Sequence, residues 1–314
     1  MKKFILKCFA FFIIVLIIIS TILIKYGCYI DFFYNKFTTP KAKSLIIGDS
    51  RGLQGLQPKI INKELVANTF ELPISNYSFT IAQAHIGELY RKSILRKLDS
   101  TSKNGLFILS LSPWMLGSKN NNNNLKGEFK ESGAPPHNMK NVSSNPNFEY
   151  LFKNLHYFNF KGVFRKNSGL HKDGWLEANN LPKDSVTFKE WKRIQLNIFK
   201  GFIDNYNVSD YRKKSLDTLI KNLKKHGDVY IVRTPIDKEM LDLENAFFPD
   251  FDSFIKLICK TNKITYSNYT KLHSEIKFQT YDGHHLDKFG GAIFTKSICD
   301  SIANKNYFIN NLNN

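Results

Sequence analysis

Five short apolar runs, separated by stretches with helical periodicity, limit the architectures open to this chain of 314 residues. The runs are Ser44–Gly48 and residues 66–70, 106–111, 229–232 and 264–266. Each is too short to cross a membrane and lacks the polar alternation of a strand with one wet face, so each reads as a strand buried on both sides. Between them, residues 82–97, 209–226 and 251–259 place apolar side chains at helical spacing. Strand and helix in alternation pack most economically as a parallel sheet covered by helices. The expectation is a three-layer α/β/α domain around a five-stranded parallel sheet.

The alternation stops at about residues 115–207. That stretch opens on the polar tract 119–124, a lysine followed by five asparagines, which offers nothing to a core and reads as a loop. Pro135-Pro136, Phe148, Tyr150, Phe152, Tyr157, Phe158, Phe160 and Trp175 follow, with helical spacing near 190–199, so the segment is expected to be an aromatic-rich insertion beside the sheet. Residues 241–252 read as a loop leading into a helix and receive no chemical role.

The amino terminus differs from the rest. Met1-Lys2-Lys3 and Lys7 precede an apolar run from Cys8 to Ile24, closed by Lys25, which is long enough to span a bilayer. A cleaved signal peptide shares the basic start and apolar middle, but no small-x-small site follows Ile24, where Lys25-Tyr26-Gly27-Cys28 stands. The expectation is therefore an uncleaved anchor at residues 1–30, a linker at 31–43 and a domain at 44–308. The lysines before the run place the amino terminus in the cytoplasm and the domain outside it.

The formal charge is +18, which invites a nucleic-acid reading. No helix-turn-helix spacing, zinc-ligand spacing or RNA-binding aromatic pattern accompanies it, and the lysines are spread along the chain, so nucleic acid is not expected as a partner. Compositional bias explains the charge, and attraction to lipid headgroups or an acidic polysaccharide is the functional alternative. Of the four cysteines, Cys8 lies in the apolar run, Cys28 just after it, and Cys259 and Cys299 on apolar helical faces, where they read as buried free thiols.

Gly48-Asp49-Ser50-Arg51 directly follows the first strand. A serine there stands at the carboxyl edge of the sheet, with its own N–H directed into the crevice where such sheets bind ligands; Asp-Ser is equally a good helix cap. Near the other end, Tyr281-Asp282-Gly283-His284-His285 precedes a final amphipathic helix. An aspartate three residues before a histidine can curl back so that its carboxylate meets one imidazole nitrogen, leaving the other to face a serine. The His-His pair has no third and fourth ligand at useful spacing, so no metal is expected. Arg233 closes the fourth strand, either as a solvated strand end or as a clamp on an anionic substrate or oxyanion, and Arg51 admits the same two readings. Residues 171–175 form either a turn packed around Trp175 or an aromatic platform for a sugar ring.

A strand ending in Gly-Asp-Ser near the start of the domain, with Asp-x-x-His before the last helix, together resemble the SGNH (GDSL-like) hydrolase superfamily, over roughly residues 44–112 and 228–303. The resemblance implies Ser50 as nucleophile, His285 as general base and Asp282 as its orienting carboxylate, with no cofactor. The segment Asn76-Tyr77-Ser78-Phe79-Thr80 resembles the subgroup related to polysaccharide O-acetylation and teichoic-acid D-alanylation proteins. The usual Asn after the third strand is absent from residues 109–114, so the oxyanion donors are expected to be the Ser50 and Ser78 N–H groups with Asn76.

Together these readings imply a membrane-anchored, extracytoplasmic serine esterase or O-acyltransferase. Its expected partner is a polysaccharide or other acylated envelope glycan, with a membrane-bound acyl donor if it is a transferase. The alternative is a non-catalytic glycan-binding component of an export or modification assembly.

Overall fold

The computed structural model describes residues 1–26, 33–122, 133–154, 168–179, 181–182, 184–272 and 280–312. Cys28, Tyr157, Phe158 and Phe160, and the ends of the expected linker and asparagine tract, lie outside the described residues. Helix α1 (Lys2–Tyr26) leads into the sheet domain, with β1 (Ser44–Gly48), α2 (Ser50–Gly55), α3 (Pro58–Glu64), β2 (Ile74–Asn76), α4 (Ile81–Ala84), α5 (Glu88–Lys97) and β3 (Gly105–Ser110). Then come β4 (Gly117–Lys119), α6 (Phe148–Asn154), β5 (Ser168–Leu170), β6 (Leu176–Ala178), α7 (Ser185–Asn205) and β7 (Tyr206–Val208). The chain closes with α8 (Asp210–Leu223), β8 (Gly227–Arg233), α9 (Lys238–Phe247), α10 (Phe251–Asn262), β9 (Thr265–Asn268), α11 (Tyr269–Leu272) and α12 (Lys288–Leu312).

Five strands pair in the order β2-β1-β3-β8-β9, every pair parallel. Successive side chains of one strand feed opposite faces, because the pleat alternates. Leu45, Ile47, Phe107, Leu109, Val229 and Ile231 join one core with residues of α5, α8 and α10. Ile46, Leu106, Ile108, Tyr230 and Val232 join another with Ile61 of α3 and Phe294, Ile298 and Ile302 of α12. The unbroken apolar runs are thus explained by helices on both faces. Cys259 and Cys299 are buried free thiols, one in each core. Within Lys2–Lys25 of helix α1 an 18-residue stretch has a mean hydropathy of 2.8 and none of it is buried, so the helix is long and apolar enough to cross a membrane.

Three expectations need correction. The second strand is Ile74–Asn76, not residues 66–70: Val66 is 74% exposed, whereas Ile74 is fully buried and takes the Asn62 side chain as acceptor for its N–H at 2.8 Å. The helix expected over 82–97 is broken at His85–Gly87. There Ile86 donates to the Met115 carbonyl at 2.9 Å and accepts from Arg212 Nη1 at 3.0 Å, so tertiary partners replace the helical ones. The loop expected at 241–252 is instead mostly helix α9 and the start of α10.

Between β3 and α8 the chain leaves the sheet and returns on a short antiparallel ribbon, β4 with β7. Within that excursion β5 and β6 form a hairpin, and α7 runs for 21 residues, capped by Asp184, whose side chain accepts the Thr187 N–H. The hairpin turn is tied to the sheet edge. Asn76 donates its N–H to the Asp173 carbonyl at 2.7 Å, and buried Lys36 reaches the carbonyls of both Asn76 and Gly174 at 2.6 Å.

Candidate active site

The chain runs from β1 out to β2 on one side and returns to β3 on the other, so the sheet changes direction at the carboxyl end of β1. Crevices open at such points. Ser50 stands there as the first residue of α2, capped by Asp49, whose carboxylate accepts the Arg51 N–H at 3.0 Å and the Ser112 hydroxyl at 2.6 Å. Gly48 is required by close approach: a Cβ would lie 2.7 Å from the Ser110 carbonyl oxygen of β3.

The last loop brings its partners to Ser50. Gly283 takes φ +95°, a conformation that suits glycine, and folds Asp282 back onto the two residues after it. Asp282 Oδ1 accepts the N–H groups of His284 at 3.2 Å and His285 at 2.9 Å. Its Oδ2 lies 2.7 Å from His285 Nδ1, and His285 Nε2 lies 2.8 Å from Ser50 Oγ. Burial, the largest influence on Asp282, raises its pKa, but the electrostatic pull of the neighbouring imidazoles, His285 before His284, and the hydrogen bonds from His285 outweigh it and hold the carboxyl well below its ordinary value. An ionised carboxylate only accepts, so Nδ1 carries the imidazole proton and Nε2 is left to accept from the serine hydroxyl. Tyr281 stacks on His285 with ring centroids 5.7 Å apart, and its hydroxyl donates to the Gln54 side chain. The structure thus brings Ser50, His285 and Asp282 into one hydrogen-bonded chain.

The other expected site residues are used differently. Asn76 donates its amide to the carbonyls of Gly52 at 2.9 Å and Leu56 at 3.1 Å, and its Oδ1 accepts the Ser78 N–H at 3.0 Å. Two of the three groups expected to face an oxyanion are therefore spent internally, the Asn76 amide on bracing α2 against β2 and the Ser78 N–H on Asn76. The Ser78 hydroxyl is buried without a hydrogen-bond partner. The first N–H groups of a helix have no intrahelical acceptor, so Ser50 N–H remains the available donor.

Arg233 is neither a solvated strand end nor a clamp. It is 1% exposed, with Nη2 2.8 Å from Glu244 Oε2 and Nη1 2.9 Å from Asp252 Oδ1, and its guanidinium lies over the Phe251 ring. Arg51 is equally sealed: Nη1 sits 2.6 Å from Glu244 Oε1, an ion pair whose angle falls outside hydrogen-bond geometry. Tyr266 and Asn268 donate to Asp252 at 2.6 and 2.9 Å and close the network. Two guanidinium groups taken out of water must meet carboxylates, and α9 and α10 supply them. Glu244 and Asp252 were missed by sequence reasoning; their signal was the two arginines at strand ends that lacked a local counter-charge.

His284 packs against His285, with ring centroids 3.9 Å apart, and is 3% exposed. Burial, then the His285 charge, push its pKa far down against the pull of Asp282, so it is neutral. Ligand atoms of Asp282, His284 and His285 lie within 4.8 Å of one another, so the third metal ligand not evident from spacing is Asp282 itself. Asp282 and His285 are already committed to each other, and a metal ion would have to break that contact to bind, whereas His284 Nδ1 is buried without a hydrogen-bond partner.

A cleft of about 460 Å³ opens beside Ser50 and His285. Its far wall comes from the β5–β6 hairpin, α7 and the segment between them through Leu176, Ala178, Leu181, Trp191, Ile198 and Phe199. Trp175 packs in the hairpin turn: its Nε1 donates to the Gln54 carbonyl at 2.7 Å, and its ring lies 4.5 Å from that of His171.

Compared with known protein families and with curated proteins, the chain matches none.

Proposed function

We propose that this chain is a membrane-anchored serine esterase or O-acyltransferase that works through an acyl-Ser50 intermediate. The observation that carries the reading is the contact of Ser50 Oγ with His285 Nε2 at the mouth of the cleft, with Asp282 behind the ring. His285 Nε2 takes the Ser50 proton as Oγ attacks an ester carbonyl. The tetrahedral intermediate collapses with the alcohol leaving, protonated by His285, and Oγ keeps the acyl group. Water or a sugar hydroxyl, deprotonated by the same imidazole, then takes the acyl group and restores Ser50. Asp282 holds Nδ1–H and stabilises the imidazolium at each step.

The strand order, the serine after β1 and Asp-x-x-His before α12 support kinship with SGNH hydrolases, with the excursion between β3 and α8 as the aromatic-rich insertion that walls the site. Helix α1 and its flanking lysines support an anchor with the amino terminus in the cytoplasm and the domain outside. An envelope or exported glycan is then the natural ester or acceptor, with a membrane-bound donor for a transferase. The internal use of Asn76 and the Ser78 N–H favours a second reading, a non-catalytic glycan-binding subunit, because one oxyanion donor is worth about 2.7–4 kcal/mol to the transition state.

The full chain in nanodiscs should be labelled at Ser50 by a fluorophosphonate and acetylated by p-nitrophenyl acetate, with both signals lost in Ser50→Ala and His285→Ala. A wild type no more reactive than Ser50→Ala would leave the binding-subunit reading standing.

A further inference from the structure

The cleft beside Ser50 is built for a hydrocarbon chain rather than for a sugar. No lysine, arginine, aspartate or glutamate lines its described part, and the wall opposite Ser50 is aliphatic and aromatic. Its polar groups are mostly taken. The Thr80 hydroxyl is bonded to Gln83, the Gln54 side-chain oxygen accepts from Tyr281, and the Gln54 carbonyl accepts from Trp175. Apart from Ser50 and the histidines, that leaves the Gln195 carboxamide, the Gln54 amide nitrogen and the Trp191 indole N–H. A hexose brings several hydroxyls, each of which must exchange water for a partner or be buried unmet at a cost. Two neutral amides and one indole N–H cannot satisfy them. An acyl chain has no such requirement and gains from every methylene removed from water. An acetyl group alone leaves most of the roughly 460 Å³ unfilled.

Resting on the hydrolase reading above, we infer that the acyl group transferred through Ser50 is longer than acetyl, a medium-length alkyl chain lying between α2 and the wall made by β6 and α7. The sugar or other alcohol portion of the ester lies outside this cleft.

The test uses the full chain in nanodiscs with p-nitrophenyl acetate, butyrate, hexanoate and octanoate. The expected result is kcat/KM rising with chain length, by up to about fourfold per added methylene and at least about tenfold over the series. Ala178→Trp narrows the cleft from β6, and Ile198→Trp narrows it from α7 at a position 45% exposed, where the fold tolerates a larger side chain. Each should lower the octanoate-to-acetate ratio by about tenfold. Acetate turnover with a flat or falling series, or a ratio unmoved by both variants, overturns the chain-length assignment and leaves the hydrolase reading intact. No turnover of any ester together with no fluorophosphonate labelling of Ser50 overturns the hydrolase reading, and this assignment with it.

Discussion

Ser50 and Arg51 are neighbours in the chain, yet each heads an opposite kind of polar system. From Ser50 a single file of hydrogen bonds runs through His285 to Asp282 and opens on a cleft. From Arg51 a network of two guanidinium groups and two carboxylates runs inward through Glu244 to Arg233 and Asp252 and is closed to solvent at its centre. The first system leaves a proton acceptor waiting for a substrate. The second pairs each buried guanidinium with a carboxylate, and it fixes the turn from which Ser50 projects. A nucleophile at the carboxyl edge of the sheet is thus seated on a buried, charged footing, and the two systems should respond to mutation in different measurements.

The largest contrast is expected in rate. Removing the Ser50 hydroxyl or the His285 imidazole should lower ester turnover by at least about 10⁴-fold. Ser50→Ala should change the unfolding free energy by less than about 0.5 kcal/mol in a urea titration. A large stability loss in Ser50→Ala would break the distinction between the two systems.

Glu244→Ala should show the reverse weighting. It leaves two buried guanidinium groups short of a carboxylate, with a stability loss of about 3–5 kcal/mol read from urea titration. Turnover per folded molecule should fall less steeply than in Ser50→Ala, since no reacting atom is removed. Activity falling as far as in Ser50→Ala with stability intact would place Glu244 in the chemistry and erase the contrast.

Acid sharpens the comparison further. His85, outside both systems, has its pKa pushed down to about 3, by burial first and then by the Arg212 and His137 charges. Its folded value lies below its unfolded one, so it contributes stability that is present above about pH 6.5 and lost as pH falls towards 3; between pH 7 and 5 the loss is about 2 kcal/mol. His284, at the border of the two systems, is shifted in the same direction and should act with the same sign. Urea titrations at both pH values should show a shallower loss in His85→Gln and in His284→Gln than in wild type.

The smallest effect belongs to the outer wall. Trp175→Phe deletes one donor to the Gln54 carbonyl and should lower stability by about 1 kcal/mol, seen as a small shift in thermal midpoint. An unchanged midpoint would show that the hairpin is held by Lys36 and the Asn76–Asp173 contact instead.

Much of this was legible in the chain because it is local. A run such as Leu106–Ile108 has no polar residue to offer water, so it reads as a doubly covered strand wherever it lies. Asp282 and His285 are three residues apart, and one turn with a glycine at positive φ joins them, so their pairing needs no distant help. The second strand was misread for the opposite reason. Residues 66–70 and Ile74–Asn76 have similar local credentials, and only pairing with β1 decides between them. Residues 241–252 form mostly helix because Glu244 and Asp252 meet Arg51 and Arg233 from elsewhere in the fold.

By itself the sequence determined the α/β class, four of the five sheet strands, the apolar amino-terminal helix and the short-range geometry of Asp282 and His285, all consequences of spacing along the backbone. The tertiary structure decided which charges are buried together, that Asn76 braces α2 instead of facing an oxyanion, and that the wall opposite Ser50 carries no charge among its described residues. Those outcomes join residues from distant parts of the chain, and their energies come from desolvation and partner geometry, which exist only once the chain has closed on itself.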